Sequence, residues 1–265
     1  MNRPWRIFRS LAMLMCVGGG AALLGGCKGN TTSAANSEHG IMPPPAVVAH
    51  HAGADLREAN PLVSPVWRDA QWLHLVGPMN TVRTTAASRM AMLYDAETLY
   101  VAFVNENQGG SGDKRDAVSL MLDTTAAGNG TEMVQVQVES SGAKSCAWIR
   151  SATPATPHAD GSPDLLHPVS KMPGFPVELW CKTGEGVSDG VPVWTVVVGI
   201  PLNQLPRPLA VTSATAGARW KVNALRTVVK GTGDHVELLQ ANLSPVYVGS
   251  QDVSAYRMSE LVLGK

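Results

Sequence analysis

Several stretches of the chain alternate apolar and polar residues with a period of two, which predicts β-strands with unlike faces. The clearest stretch reads EMVQVQVES, in which Val134, Val136 and Val138 fall on one face. Gln135 and Gln137 fall on the opposite face of the same strand. We therefore predict a strand with an apolar face towards a core and a polar face towards solvent.

The stretch VWTVVVGIPLNQL is apolar almost throughout and predicts a central strand. Trp194, Val196 and Val198 share one face, which we assign to the core. Pro201 ends the strand because proline has no N–H group to donate to a neighbouring strand. A strand of this kind is typical of the middle of a β-sandwich.

Counting such stretches gives roughly nine or ten strands and little helix, since short strands with frequent turn signals indicate an all-β domain. The composition agrees, with 26 Gly, 18 Pro and only 16% charged residues in 265. We predict one two-sheet antiparallel β-sandwich, of jelly-roll or immunoglobulin-like type, over residues 55–265. No second core pattern is visible, and we expect a monomer.

The first 26 residues have the character of an export signal. Three arginines precede the apolar run LAMLMCVGGGAALL, and Leu24-Gly25-Gly26-Cys27 follows it. This segment resembles the lipobox of bacterial lipoproteins, which implies cleavage before Cys27 and a membrane anchor through lipid on that residue. Lys28 rather than Asp follows the cysteine and favours the outer membrane. The alternative is an uncleaved membrane anchor, for which the run is short and rich in glycine.

Residues 27–54 are rich in Ser, Thr and Ala and contain Pro43-Pro44-Pro45. Such a segment buries little apolar surface, so we predict a flexible tether with a stiff proline segment. His50 and His51 lie in this segment without a further ligand at metal spacing, and we predict no metal site there.

Two of the four cysteines, Cys146 and Cys181, belong to the predicted domain. In an exported protein a disulfide between them can persist, and we expect this bridge. The alternatives are two buried thiols or a reactive thiol, and neither cysteine has a histidine placed to activate it.

Taken in order, five motifs resemble the family 9 carbohydrate-binding modules and their DOMON-like relatives. They lie at Trp67–Ala70, Tyr94–Val101, Asp116–Asp123, Trp194–Pro201 and Trp220–Arg226. The resemblance covers roughly residues 55–265 and implies a sandwich that binds sugars, frequently at chain ends, without acting on them. It also implies a place in carbohydrate catabolism at the cell envelope.

One position departs from the family pattern. The family commonly has Glu where this chain has Val197, on the face opposite Trp194. Without that acid, Arg226 needs another acceptor, and the candidates are Glu178, Asp123 and Glu237. The departure is either a local repacking or a change in sugar binding.

Sugar binding requires flat aromatic surfaces and planar polar side chains. Trp180 is the first candidate, since Leu179 and Cys181 face the core and Trp180 falls on the other face. By the same alternation, Trp148 shares the face of Cys146. The remaining candidate ligand residues are Trp148, Trp72, Asn223, Arg226, Gln135 and Gln137.

The charge and the motifs restrict the other function classes. A net charge of zero gives no excess of positive charge for binding nucleic acid. The spacing of the acidic residues does not pair two carboxylates as a glycosidase requires. A second hypothesis is a DOMON-like haem b domain with Met, His or Lys as axial ligand, for which Met121 is one candidate. A third is a scaffold lipoprotein that has lost its ligand. We predict no cofactor under the leading reading, although a bound Ca²⁺ stays open.

Overall fold

The computed structural model describes residues 44–53, 55–78, 84–107, 114–125, 132–151, 169–173, 177–231, 236–244 and 258–265. The predicted signal segment and Cys27, the predicted site of lipidation, lie outside these residues. Thirteen strands lie within them, and the two helices among them are single turns. Neither helix is long and apolar enough to cross a membrane.

The strands are β1 (Val47–His51), β2 (Leu73–His74), β3 (Ser88–Tyr94), β4 (Thr98–Glu106), β5 (Lys114–Asp123), β6 (Glu132–Glu139), β7 (Lys144–Ser151), β8 (Val169–Pro173), β9 (Trp180–Ser188), β10 (Val191–Pro201), β11 (Arg219–Lys230), β12 (Glu237–Asn242) and β13 (Ser259–Leu263). Helix α1 is Pro65–Arg68, and a 3₁₀ turn spans Leu202–Gln204. The predicted all-β class is confirmed. The strands outnumber the nine or ten expected because β1, β2 and β8 have five residues or fewer.

The strands form two layers. Sheet A has the order β8-β7-β6-β5-β11-β13-β1, with β12 also paired to β11. Sheet B has the order β1-β3-β4-β10-β9, with β2 paired to β3. All pairs are antiparallel except those of β1, which runs parallel to β13 and to β3.

Strand β1 lies within residues 27–54, where we predicted a tether. Val47 to Ala49 pair with β13, and His50 and His51 pair with β3, so this short strand joins the two sheets. Val47 and Ala49 are buried in the core while both histidines are exposed. The folded part therefore begins before residue 55, because a five-residue strand with two inward side chains is too short to show a periodic pattern.

The inner faces of the two sheets form the main core, as the period-2 pattern predicts. Its inward side chains include Val101 and Phe103 of β4, Val136 of β6 and Val198 of β10. A gap of only about 10 Å³ is left among these central residues. The two sheets are therefore packed at the density of an ordinary protein interior.

A second apolar layer covers the outer face of sheet B, and we call it the outer cluster. It consists of Ala52, Leu56, Trp67, Ala70, Ala91, Leu93, Tyr100, Ala102 and Val197, with Ala59, Val66, Trp72 and Trp180 packed against it. Residues 52–53 and 55–72 thus lie over this sheet, and Val197 is buried beneath them. An apolar residue suits that position, since a carboxylate there would enter an apolar layer.

Candidate functional site

One end of the sandwich is held together by a buried ion pair. Arg226 on β11 is 0% exposed and binds Asp116 on β5 through two N–H···O bonds, Nε–Oδ1 at 2.9 Å and Nη2–Oδ2 at 2.6 Å. The indole Nε1 of Trp194 donates to Oδ2 of the same carboxylate at 3.1 Å. This group joins β5 and β11 of sheet A to β10 of sheet B.

The other N–H groups of Arg226 also have acceptors. Nη1 donates to the Ala86 carbonyl at 3.1 Å and to Oγ of Ser88 at 3.0 Å, and Nη2 donates to the Glu106 carbonyl at 2.7 Å. A guanidinium has five N–H donors, and all five are used here. Arg226 therefore holds the sheets together and has no donor left for a sugar. Its acceptor is Asp116, not Glu178, Asp123 or Glu237 as we had considered.

A solvent-open cavity of about 550 Å³ lies against this ion pair, between the two sheets. We call it the end cavity, and its described lining consists of Asn107, Asp116, Ser140, Ser141, Thr183, Gly184, Glu185 and Trp194. Its size falls within the range of about 300–1,000 Å³ that is usual for small-molecule sites.

The ends of several strands position this lining. Asn107 follows β4 and donates its backbone N–H to the Pro192 carbonyl at 2.9 Å. The turn at Ser140–Gly142 joins β6 to β7, with Gly142 at φ 85°, a conformation that glycine adopts readily. Across the cavity, Glu185 of β9 pairs with Trp194 of β10. Polar side chains thus converge from both sheets.

The carboxylate of Asp116 keeps capacity for a further hydrogen bond. Its two oxygens offer about four lone-pair sites, and Arg226 and Trp194 use three of them. Because Asp116 also lines the end cavity, the remaining site can accept a bond from a ligand hydroxyl. Beside Trp194 in the register, Asn105 is 0% exposed, and neither polar atom of its side chain bonds another described residue. An ordered water is expected at that amide.

The predicted ligand residues do not meet in one place, and none of them lines the end cavity. Asn223 is 0% exposed, and its Oδ1 accepts the backbone N–H groups of Ala224 and Ser244 at 2.9 and 3.1 Å. Asn223 and Arg226 are therefore interior groups that a sugar cannot reach. Gln135 and Gln137 are half-buried on the outer face of sheet A.

The three tryptophans lie on two different faces. Trp180 and Trp72 both pack against the outer cluster, while Trp148 packs against the main core. The indole of Trp148 donates to Glu132 at 3.2 Å, and the Cζ atom of Arg150 lies 4.9 Å from its ring centroid. The predicted opposition of Trp148 and Trp180 is confirmed.

Trp180 is half-buried at the edge strand of sheet B. Its ring lies over Gly199, where an added Cβ would be 3.6 Å from Cε3 of Trp180 and 3.6 Å from Cε1 of Tyr100. The Tyr100 hydroxyl donates to Asp95 at 2.8 Å, and Lys182 is paired with Glu58. The polar groups around Trp180 thus bind one another.

Trp72 is fixed in a similar way. Its indole donates to the Trp67 carbonyl at 2.8 Å, and Cζ of Arg89 lies 5.1 Å from its ring centroid. Arg89 in turn donates to Oγ of Ser188 at 3.1 Å. The Trp72 ring is therefore covered by a cation on one side and held by its own donor.

The expected disulfide is absent, and Cys146 and Cys181 are both free thiols. Their strands, β7 and β9, lie in different sheets, and the Cys181 thiol donates to the Gly142 carbonyl at 3.8 Å. Cys146 sits further along β7 in the main core, where burial raises the pKa of its thiol to about 11. Cys146 belongs to the main core, and Cys181 packs against that core.

The described ranges also bear on metal and haem binding. No group of three or more His, Cys, Asp or Glu side chains is gathered there to hold a metal ion. Met121 is buried in a small apolar cluster on the outer face of sheet A, with Met133, Ile149, Leu225 and Met258. Its side chain therefore packs among apolar neighbours.

Similarity to known proteins is found at the level of structure. A family 9 carbohydrate-binding module from Caldicellulosiruptor kristjanssonii, in complex with cellotriose, matches with a TM-score of 0.51 and 13% identity over 83% of this chain and 94% of that one. The same organism's module in complex with glucose gives a TM-score of 0.50 and 13% identity, over 83% and 97% of the two chains.

A Bacteroides uniformis protein with a provisional carbohydrate-binding assignment gives a TM-score of 0.54 and 10% identity, over 82% of this chain and 98% of that one. Comparison of the sequence with family models and with curated proteins finds no match. The resemblance predicted from the five motifs is thus confirmed in the arrangement of the strands. This chain has the fold of the family 9 carbohydrate-binding modules.

Proposed function

We propose that this protein is a non-catalytic carbohydrate-binding module and that its sugar occupies the end cavity. The observation that carries the proposal is the cavity itself, a space of about 550 Å³ with carboxylate and hydroxyl groups on opposite sides. The fold supports it, since structures of the same fold bind cellotriose and glucose.

The lining suits a polyhydroxylated ligand. Asp116 and Glu185 accept hydrogen bonds from sugar hydroxyls, while Ser140, Ser141 and Thr183 can both donate and accept. Trp194 contributes apolar surface for the C–H face of a sugar ring. Because Arg226 and Trp194 fix Asp116 in advance, little ordering is needed when a ligand binds.

The same ion pair argues against hydrolysis. A glycosidase needs one carboxyl group that protonates the leaving oxygen and a second that acts as nucleophile or base. Both oxygens of Asp116 are engaged by Arg226, and Trp194 adds a third bond, so this group is held as a hydrogen-bond acceptor. Recognition without bond cleavage is therefore the function that we propose.

The proposal also places the protein at the cell envelope. The resemblance of residues 1–27 to lipoprotein signals supports an outer-membrane anchor through lipid on Cys27, with the domain acting as a monomer in carbohydrate catabolism. Stable attachment requires more than one acyl chain, which this class of anchor supplies. Replacing Cys27→Ser should release the protein from the membrane fraction and abolish labelling by a palmitate analogue. Unchanged fractionation and labelling would contradict the anchor.

The sugar site is tested with variants on the two sides of sheet B. A glycan array and pull-down on insoluble polysaccharides identify a ligand, whose affinity is then measured for Thr183→Val and Glu185→Ala. We expect each substitution to weaken binding about tenfold, the loss of one hydrogen bond of roughly 1–1.5 kcal/mol. Trp180→Ala serves as the control and should bind like the parent. Loss of binding in Trp180→Ala alone would place the site on the outer cluster instead.

A further inference from the structure

The end cavity has an asymmetric charge. Six of its eight described lining residues are neutral, and the two acids differ in their surroundings. Asp116 is compensated by the buried guanidinium of Arg226 at 2.6 Å. Glu185, by contrast, has no ion-pair partner among the residues that the structure describes.

Two lysines of β7 and β9 bind groups outside the described lining of the cavity. On β9, Lys182 is paired with Glu58 on the outer side of sheet B. On β7, Nζ of Lys144 donates to the Leu179 carbonyl at 2.5 Å. The described lining therefore presents one uncompensated negative charge, that of Glu185, to any ligand in the cavity.

From this charge we infer that the end cavity selects neutral and amino sugars and discriminates against sugars that carry a carboxylate, with Glu185 as the residue that sets the selectivity. The inference rests on the proposed sugar site and specifies its ligand class. A uronate or other acidic sugar would bring a second negative charge towards Glu185, and the described lining of the cavity contains no Lys, Arg or His. A protonated amino group would instead form a charge-assisted hydrogen bond with the same carboxylate.

The size of the preference follows from the exposure of Glu185. Two unit charges about 4 Å apart interact by roughly 1 kcal/mol in water and more strongly beside protein. We therefore expect glucuronate to bind about five- to tenfold more weakly than glucose at low salt. We expect glucosamine to bind more tightly than glucose by a similar factor. Both differences should shrink as ionic strength rises.

The test uses glucose, glucosamine and glucuronate, which share a ring and differ in charge. Binding to the purified ¹⁵N-labelled protein is followed through the indole Nε1–H signal of Trp194, which bonds Asp116 at the wall of the cavity. Glu185→Gln keeps the shape and removes the charge, so the three affinities should converge. Glu178→Gln removes an exposed charge before the other end of β9 and should leave the preference intact.

The outcomes separate the inference from the proposed function. Equal affinities of glucose and glucuronate for the parent protein, or an unchanged preference in Glu185→Gln, would overturn the selectivity while leaving the sugar site in place. If no sugar of the three moves the Trp194 signal at any concentration, the proposed site fails and the selectivity fails with it. Thermal unfolding of each variant confirms that the fold is retained.

Discussion

The end cavity and the outer cluster both combine aromatic rings with carboxylates, but they use their polar groups differently. At the outer cluster, Tyr100 binds Asp95 and Lys182 binds Glu58, so the polar groups satisfy one another. At the end cavity, Glu185 has no ion-pair partner among the described residues, and Asp116 keeps an unused acceptor site. An aromatic ring on a sheet face therefore says less about a binding site than carboxylates that can still accept a hydrogen bond from a ligand.

The largest expected effect concerns the ion pair beneath the cavity. Arg226→Met leaves Asp116 buried without its cation, and we expect the free energy of unfolding to fall by about 3–5 kcal/mol. Arg219→Met is the control, because Arg219 forms an exposed pair with Glu260 and such pairs contribute about 0–1 kcal/mol. Chemical denaturation measures both. Equal losses of unfolding free energy in the two variants would show that the buried pair stabilises the fold no more than the exposed pair does.

The second prediction concerns the outer cluster at alkaline pH. Burial, and then the hydrogen bond to Asp95, raise the pKa of Tyr100 from 10 to about 12. The pKa of Tyr100 is higher in the folded than in the unfolded protein. The protonated hydroxyl of Tyr100 therefore stabilises the fold fully below pH 10, and this contribution is lost as pH rises from 10 to 12. The linkage corresponds to about 2–3 kcal/mol.

The variant Tyr100→Phe isolates this effect. It should be less stable than the parent near neutral pH, since it lacks the bond to Asp95, and should lose less stability between pH 10 and 12. The measurement is urea denaturation across that range. Parallel curves for parent and variant would mean that Tyr100 does not titrate in this window.

A smaller effect on stability is expected for Trp180, the first ligand candidate from the sequence. Trp180→Ala removes a half-buried ring from the outer cluster and should cost about 1–2 kcal/mol of stability. Sugar affinity should be unchanged, because Trp180 does not line the end cavity. Thermal unfolding and sugar titration on the same sample separate the two readouts. If Trp180→Ala stays as stable as the parent but no longer binds sugar, the binding site lies at the outer cluster and not at the end cavity.

The smallest effect on stability is expected from reduction of the two cysteines, Cys146 on β7 and Cys181 on β9. With both cysteines as thiols, adding a reductant should leave the unfolding midpoint unchanged. A thiol reagent should modify the half-buried Cys181 before Cys146, whose thiolate is scarce because burial raises its pKa to about 11. A midpoint that falls on reduction would reveal a bridge between them.

The sequence was sufficient to predict the strand phases but not the contacts between distant strands. Alternation correctly assigned Trp194 and Val136 to the core and set Trp180 opposite Cys181, because the period of a strand is a local property. The partner of Arg226 could not be found in this way, since Asp116 lies 110 positions away and period 2 gives no information on which strands face each other.

The end cavity was missed for the same reason. Its lining comes from three strands and two connecting segments between residues 107 and 194, and the period of each strand does not show which of them lie next to one another. The strand pattern favours aromatic residues on polar faces as ligands and assigns Trp194 to the core. It is indeed buried, but its indole lies at the wall of the cavity and binds the carboxylate there. The presence of Asp116 at a strand end was the available signal.

Strand β1 also determines how the domain would respond to a pulling force. Under the proposed lipid anchor, tension from Cys27 would reach the domain through Val47, at the start of a strand that is hydrogen-bonded to both sheets. Strand β1 runs parallel to both of its partners, so a force along the strand would load their hydrogen bonds together in shear instead of opening them one by one. The hydrogen bonds of β1 to the two sheets would then resist the force that flow exerts on a bound polysaccharide.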